Sequence, residues 1–392
     1  MRRRRERNRL NNFVLAGLGP WAFSPRTRSV GIHALGRSKE RKTWMRGSSP
    51  RKTTSNGFLR VPNKLSLQRD NPALSRERRL SNGMANTYAG YLGLQRLLSA
   101  QTLQTSSDDE LLFIIIHQQH ELWFKLAIHE LDCAIQSLMK EEAHEGDCII
   151  AFKRLSRVSA IQHILISTWD VLATLTPDEF ILFRETVGRD GASGFQSVQY
   201  RILEYKLGLK YDSIAFELPS GETRTVDILK NAQTDEEKDA LRTALAAPGI
   251  YDAVISYMAK TLPTFRIEDT RSRDFSRRYQ KSAAVFKAWS HVYRNRMSAP
   301  ELYQLGEKLI DLEDAFRKWR FAHLATVSRV IGSNAGTGGS SGLRYLRQAA
   351  NQLFENPMYP ELWDVRSEMF SRPKEFDLAA AGYKEPGQST TG

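Results

Sequence analysis

From Tyr88 onward, apolar side chains return every three or four positions, the spacing of helices that each bury one face. The clearest stretch is Leu111 to Leu138. Leu112, Ile116, Trp123, Ala127, Leu131, Ala134 and Leu138 share one face of it, with Lys125, His129, Asp132 and Gln136 opposite. Asp108 or Ser107 is placed to cap its start, and the acids of its first turn suit the helix dipole. A second long helix is predicted from Leu302 to Ile331, stopped by Gly332. Ile149–Leu175, Gly194–Leu207 and Tyr251–Leu262 also read as helices. Strand character is confined to Ile214–Val226, where Ser220-Gly221 would turn a short hairpin. The expected fold class is all-α, built around the long helices, with no internal repeat.

Composition narrows the class. Among 392 residues, 41% are hydrophobic and 26% charged, the balance of a globular chain. No apolar run approaches the roughly 18 residues of a membrane-spanning helix; the longest is Leu111–Ile116. Two cysteines, Cys133 and Cys148, exclude a disulfide framework or a four-thiolate zinc site, and a reducing cytoplasm is the simple expectation. The net charge of +13 is unevenly spread. Residues 1–80 hold 21 basic and 4 acidic side chains, which leaves 81–392 with 36 basic and 40 acidic ones. The body therefore has no charge-based reason to bind nucleic acid or a membrane. The first 80 residues are too poor in apolar periodicity to offset their ordering entropy and are expected to be disordered. They resemble a targeting peptide or basic arm, although an extension with no role of its own is the plainer reading. The organisation expected is an extension (1–80), a helical body (81–372) and a flexible C-terminal tail (373–392).

Several positions carry potential chemistry. On the second long helix Leu302, Leu305, Leu309, Leu312, Phe316, Trp319 and His323 are spaced 3, 4, 3, 4, 3 and 4, so an imidazole takes the next slot of a buried seam. Such a residue is either a core histidine bonded to a carbonyl or a ligand to a metal or haem. His117 poses the same question on the first helix, with Phe113 one turn back on the same face. The run His117–Glu121 (HQQHE) is a weak metal motif, because a di-iron bundle needs two ExxH pairs and the single one here, Glu141 to His144, lies in an acidic stretch. The glycine cluster Gly336–Gly342 lacks the ending of a phosphate loop; it reads as a connector or as a loop that lets backbone approach a ligand. Arg184 stands in apolar company, suited either to gripping a carboxylate or to an ion pair with Glu185.

Taken together, the segments TYAGYLGLQRLLSAQ (87–101), FIIIHQQHELWFK (113–125), FRE…ASGFQSVQYR (183–201), KWRFAHLATVSRVIGSNAGTGGSSG (318–342) and PELWDVR (360–366) resemble the tryptophan 2,3-dioxygenase family in order and spacing. The resemblance implies a haem b enzyme that inserts O2 across the indole C2–C3 bond of L-tryptophan to give N-formyl-L-kynurenine. It implies His323 as the haem-iron ligand and His117 as the distal histidine that bonds the indole N–H. Phe113 would pack on the indole, and Phe180 and Val187 would form apolar wall. Arg184 and Thr337 would hold the amino-acid end. Trp169 and Ser193 would lie near the haem edge and propionates. Tyr88, Tyr91 and Leu92 match a pocket segment lent by a neighbouring subunit, which implies a homotetramer. The sequence departs from the family pattern in three places. The stretch from Arg184 to Ser193 is two residues longer, putting the loop Gly188–Gly191 out of register. Phe180 stands where some members have tyrosine, and Asp108-Asp109-Glu110 replaces His-Asp-Glu. The competing expectations are a haem dioxygenase for another indole, or a non-enzymatic helical binding module localised by its basic tail.

Overall fold

Three long helices carry the core. The computed structural model describes residues 87–189, 194–217, 222–268, 274–333 and 342–371. After the short helices α1 (Tyr88–Leu92) and α2 (Leu94–Leu97) come α3 (Asp109–Leu138), α4 (Glu145–Leu172), α5 (Pro177–Arg189) and α6 (Val198–Leu207). Strands β1 (Ser213–Glu217) and β2 (Thr223–Asp227) pair antiparallel, with Ala215 opposite Thr225. Then follow α7 (Ile228–Asn231), α8 (Asp235–Ala246), α9 (Ile250–Thr261), α10 (Ala283–Arg294), α11 (Pro300–Ile331), α12 (Leu343–Glu355) and α13 (Pro360–Phe370).

The all-α expectation holds, with the hairpin as its one sheet; the proposed turn Ser220-Gly221 lies outside the described residues. Helices α3 and α11 both pack along α4. Leu131, Ala134, Leu309 and Leu312 are fully buried, so the seam predicted on α3 and on α11 is the face that packs, and Leu155 and Val158 of α4 are equally buried. One bond ties α4 to α11: Gln162 donates Nε2–H to the Leu312 carbonyl at 3.1 Å. Glu313 accepts from Arg317 at 2.5 Å, from the Tyr359 amide at 3.2 Å and from the Trp363 indole at 2.9 Å, which fastens the start of α13 to the same helix. Gly306 permits close packing on α10, because a Cβ there would lie 3.0 Å from the Trp289 ring. Gly332 ends α11 with φ of 59°, as the sequence predicts.

Two local expectations are corrected. Neither Asp108 nor Ser107 caps α3 through its side chain. The buried Glu110 carboxylate instead accepts from the Gln104 and Thr105 amides, both at 2.8 Å, and from the Thr105 hydroxyl at 2.7 Å, folding the preceding loop over the helix start. The longer stretch after Arg184 is also not all loop, since α5 continues through Gly188 to Arg189. No single helix among the described residues is long and apolar enough to cross a membrane.

Candidate active site

One cavity of about 690 Å³ opens between α3, α4, α5, α6, α11 and α12. This volume lies within the ordinary range of ligand pockets, roughly 300–1,000 Å³. From α3 it receives Phe113, His117, His120, Glu121 and Phe124, which recur at helical spacing and so face one side. Trp169 enters from α4, Phe180 and Arg184 from α5, Tyr200 and Arg201 from α6, and Trp319, Arg320 and His323 from α11.

Aromatic contacts fix these side chains. The Phe113 ring lies 4.1 Å from the His117 ring, 5.9 Å from Phe180 and 5.5 Å from Phe183. The Trp169 and His323 rings are stacked at 4.5 Å, and Trp319 lies 5.6 Å from His323. Ser197, the N-cap of α6, donates its hydroxyl to Glu121 at 2.5 Å while accepting the Tyr200 amide at 3.1 Å. Gln199 adds a 2.8 Å bond to the same carboxylate. Glu121 is thereby occupied in docking α6 onto α3.

Hydrogen bonds decide the tautomers of the two histidines on α3. His117 Nδ1 lies 2.7 Å from the Phe113 carbonyl, and His120 Nδ1 lies 2.9 Å from the Ile116 carbonyl. A carbonyl only accepts, so Nδ1 carries the proton in each ring and Nε2 keeps its lone pair. His120 Nε2 accepts the Trp319 indole N–H at 3.4 Å. His117 Nε2 has no partner among the described residues. Burial lowers the His117 pKa, against the opposing bond to Phe113. It pushes His120 down to about 4, against the bond to Ile116. Both rings are neutral at physiological pH. The HQQHE run is therefore one free acceptor, one core histidine and one docking carboxylate, and no group of three metal-ligating side chains occurs among the described residues.

His323 is the other open imidazole. Burial among apolar rings pushes its pKa down to about 3, reinforced by the nearby His117 and His120. The residue is half-buried where it lines the cavity. Neither ring nitrogen has a hydrogen-bond partner among the described residues, so the core-histidine reading fails. Beside it, the buried Trp169 indole N–H has no acceptor among the described residues. A neutral, unbonded imidazole and an orphaned donor on one wall suit a haem, whose iron takes a histidine and whose propionates take hydrogen bonds.

The other expected site residues divide. Phe113, Phe180, Arg184 and Trp169 join His117 and His323 around the cavity. Val187 packs against the hydrophobic core and is not among the residues lining the cavity. Tyr88, Tyr91 and Leu92 on α1 are 78%, 83% and 44% exposed and also lie outside the lining. Ser193 and Thr337 lie outside the described residues. The sequence reading did not single out His120, Tyr200, Arg201 or Arg320. His120 had the signal of i,i+3 spacing from His117; the others join the site through contacts between distant helices.

Fold and cavity together define a helical protein with an aromatic-lined pocket that neutral histidines enter from two helices, α3 and α11. The chain matches the family model described as tryptophan 2,3-dioxygenase over residues 74–291 and 220–369. A protein of that name from Bacillus thuringiensis subsp. konkukian (strain 97-27) is 46% identical over 285 residues, covering 72% of this chain and 92% of the relative. One from Geobacillus thermodenitrificans (strain NG80-2) is 42% identical over the same shares. One from Shewanella woodyi (strain ATCC 51908 / MS32) is 42% identical over 286 residues, 72% of this chain and 90% of the relative. The chain belongs to the tryptophan 2,3-dioxygenase family.

Proposed function

We propose that the protein is a haem b-dependent dioxygenase that inserts both atoms of O2 across the indole C2–C3 bond of L-tryptophan, giving N-formyl-L-kynurenine. The observation that carries this reading is the pair of open imidazoles in one cavity, His323 on α11 and His117 on α3. Ferrous haem would bind and activate triplet dioxygen, whose direct reaction with a closed-shell indole is spin-forbidden and slow. The residues supply orientation and electrostatics.

His323, neutral through its lowered pKa, offers a lone pair to the iron without first losing a proton. His117 holds Nδ1–H on the Phe113 carbonyl, so Nε2 accepts the substrate's indole N–H and fixes the ring. Phe113 and Phe180 pack on the indole and keep water away from it. Arg184 would pair with the substrate carboxylate, a task the family resemblance also gives to Thr337. Trp169 would donate to a haem propionate, and the family resemblance gives Ser193 a role at the same edge. Val187 supports the wall from behind.

The exposure of Tyr88, Tyr91 and Leu92 supports a shared pocket in which α1 of one subunit covers the cavity of the next, in a homotetramer. Residues 81–372 form the catalytic body, flanked by the extension 1–80 and the tail 373–392, and the enzyme works in the cytoplasm. Assay of L-tryptophan beside indole and tryptamine, followed by formylkynurenine absorbance, tests the reading. Turnover of L-tryptophan alone is expected. Equal turnover of tryptamine would point to a different indole dioxygenase.

A further inference from the structure

A buried ionic cluster forms the cavity wall between α6 and α11. Glu204 is fully buried and accepts from Arg201 Nη1 at 2.7 Å and Arg320 Nη2 at 2.5 Å, with the Tyr211 hydroxyl as a third donor. Every Arg320 nitrogen has a partner: besides Nη2 on Glu204, its Nε–H goes to the Tyr200 hydroxyl at 3.3 Å and an Nη1–H to the Ala349 carbonyl at 2.6 Å. Arg201 differs. Only Nη1 has partners, Glu204 and the Tyr211 hydroxyl at 3.1 Å, while Nε is buried with none. The side chain is 4% exposed, lies 4.9 Å over the Phe195 ring and 5.1 Å from the Tyr200 ring, and lines the cavity.

The charge count matters as much as the open edge. Two guanidiniums face one carboxylate, and no second carboxylate neighbours Arg201 among the described residues. A buried cluster with one uncompensated positive charge is strongly unfavourable unless an anion completes it. Nε and Nη2 form the edge of a guanidinium that grips a carboxylate bidentately. Arg320 lies three residues before His323 on the same helix, so the surplus charge sits about one turn from the proposed iron ligand.

We propose that Arg201, held by Glu204 and flanked by Phe195 and Tyr200, is the anchor for a propionate carboxylate of the haem. The assignment rests on the haem reading above and adds the residue that neutralises the porphyrin's acidic edge. Arg184, on another helix, is the residue assigned above to the substrate carboxylate. Glu204 acts as a positioning residue, fixing the Arg201 plane through Nη1 and leaving Nε without a partner among the described residues.

The test measures haem loss from the full-length protein by transfer to excess haem-free globin, comparing wild type, Arg201→Gln and Arg201→Lys. Each is loaded with haemin or with haemin dimethyl ester, whose propionates cannot form a charged pair. Haemin is expected to leave Arg201→Gln on the order of tenfold to a hundredfold faster than wild type, the range of a charge-assisted bond. Arg201→Lys should fall between them. The ester should leave wild type faster than haemin does, and should leave wild type and Arg201→Gln at equal rates. Arg201→Gln keeps the Glu204–Arg320 pair; should it nevertheless not fold, the two ligands on wild type still decide, because equal rates overturn the proposal. So does haemin retention unchanged in Arg201→Gln, or ester and haemin lost faster by the same factor, which marks a packing defect. Unchanged haem retention with a raised KM for L-tryptophan would transfer the site to the substrate carboxylate. A wild-type protein that takes up no haemin would sink the proposed function itself, a distinct outcome.

Discussion

The Trp169 indole lies parallel to the His323 imidazole, with ring centroids 4.5 Å apart and planes inclined by 15°. Two long helices, α4 and α11, meet at this stack. It holds the imidazole in one orientation without taking up either of its nitrogens, leaving them to a ligand. Trp169→Ala removes both the stack and a largely buried side chain, and should destabilise the protein by about 3–5 kcal/mol and loosen haem. Trp169→Phe keeps a ring but loses the donor, so urea unfolding should change less while haem retention still falls. Equal haem retention in Trp169→Phe and wild type would remove the indole N–H from the haem contacts.

His117→Ala should slow L-tryptophan turnover roughly tenfold or more, the worth of one well-placed hydrogen bond in the transition state. Activity should remain measurable, because in the proposed reading His117 orients the substrate and does not bind the iron. Complete inactivity with haem still bound would contradict an orienting role.

Replacing Arg184 with leucine should raise KM for L-tryptophan about tenfold or more, since a charge-assisted contact contributes on the order of 1.5–3 kcal/mol. Haem content should be unchanged. Loss of haem in that variant would mean that Arg184 serves the cofactor.

Stability should depend on pH through the buried imidazoles. An unfolded histidine titrates near 6.5, whereas His120 is held at about 4. Between these values the unfolded chain binds the extra proton. The stabilisation is therefore fully present above pH 6.5 and is lost as pH falls toward 4, by up to about 1.4 kcal/mol per pH unit for this group. His117 and His323 shift in the same direction. Urea unfolding of the haem-free protein from pH 7 to 5 should show this loss, and His120→Gln should flatten the slope by about one proton. An unchanged slope in the variant would contradict the neutral, buried assignment.

Much of the fold was legible because α3 and α11 are long enough for helical spacing to repeat many times, and His323 stood out against an otherwise apolar seam. Helices α5 and α13 escaped although proline occupies the first helical position of each, at Pro177 and Pro360. Their short apolar faces give too few repeats for periodicity to register. Helix α10 was missed for a similar reason, with 12 residues rich in aromatic and β-branched side chains that also suit a strand. The family resemblance pointed to Phe113, His117, Phe180, Arg184, Trp169 and His323, and all six line one cavity. The wall made by Arg201, Glu204 and Arg320 was not legible. Glu204 and Arg320 stand 116 positions apart, and each alone looks like a polar residue on a helix. Position along the chain carries no trace of that pairing.

The central claim is that His323 holds the iron. Titrating purified wild type and His323→Ala with haemin, and reading the Soret band of the reduced proteins with and without L-tryptophan, tests it most directly. Wild type should bind one equivalent and respond to L-tryptophan, while His323→Ala should bind weakly or not at all. A His323→Ala protein that binds haemin as tightly as wild type and turns over L-tryptophan at a comparable rate would contradict the account.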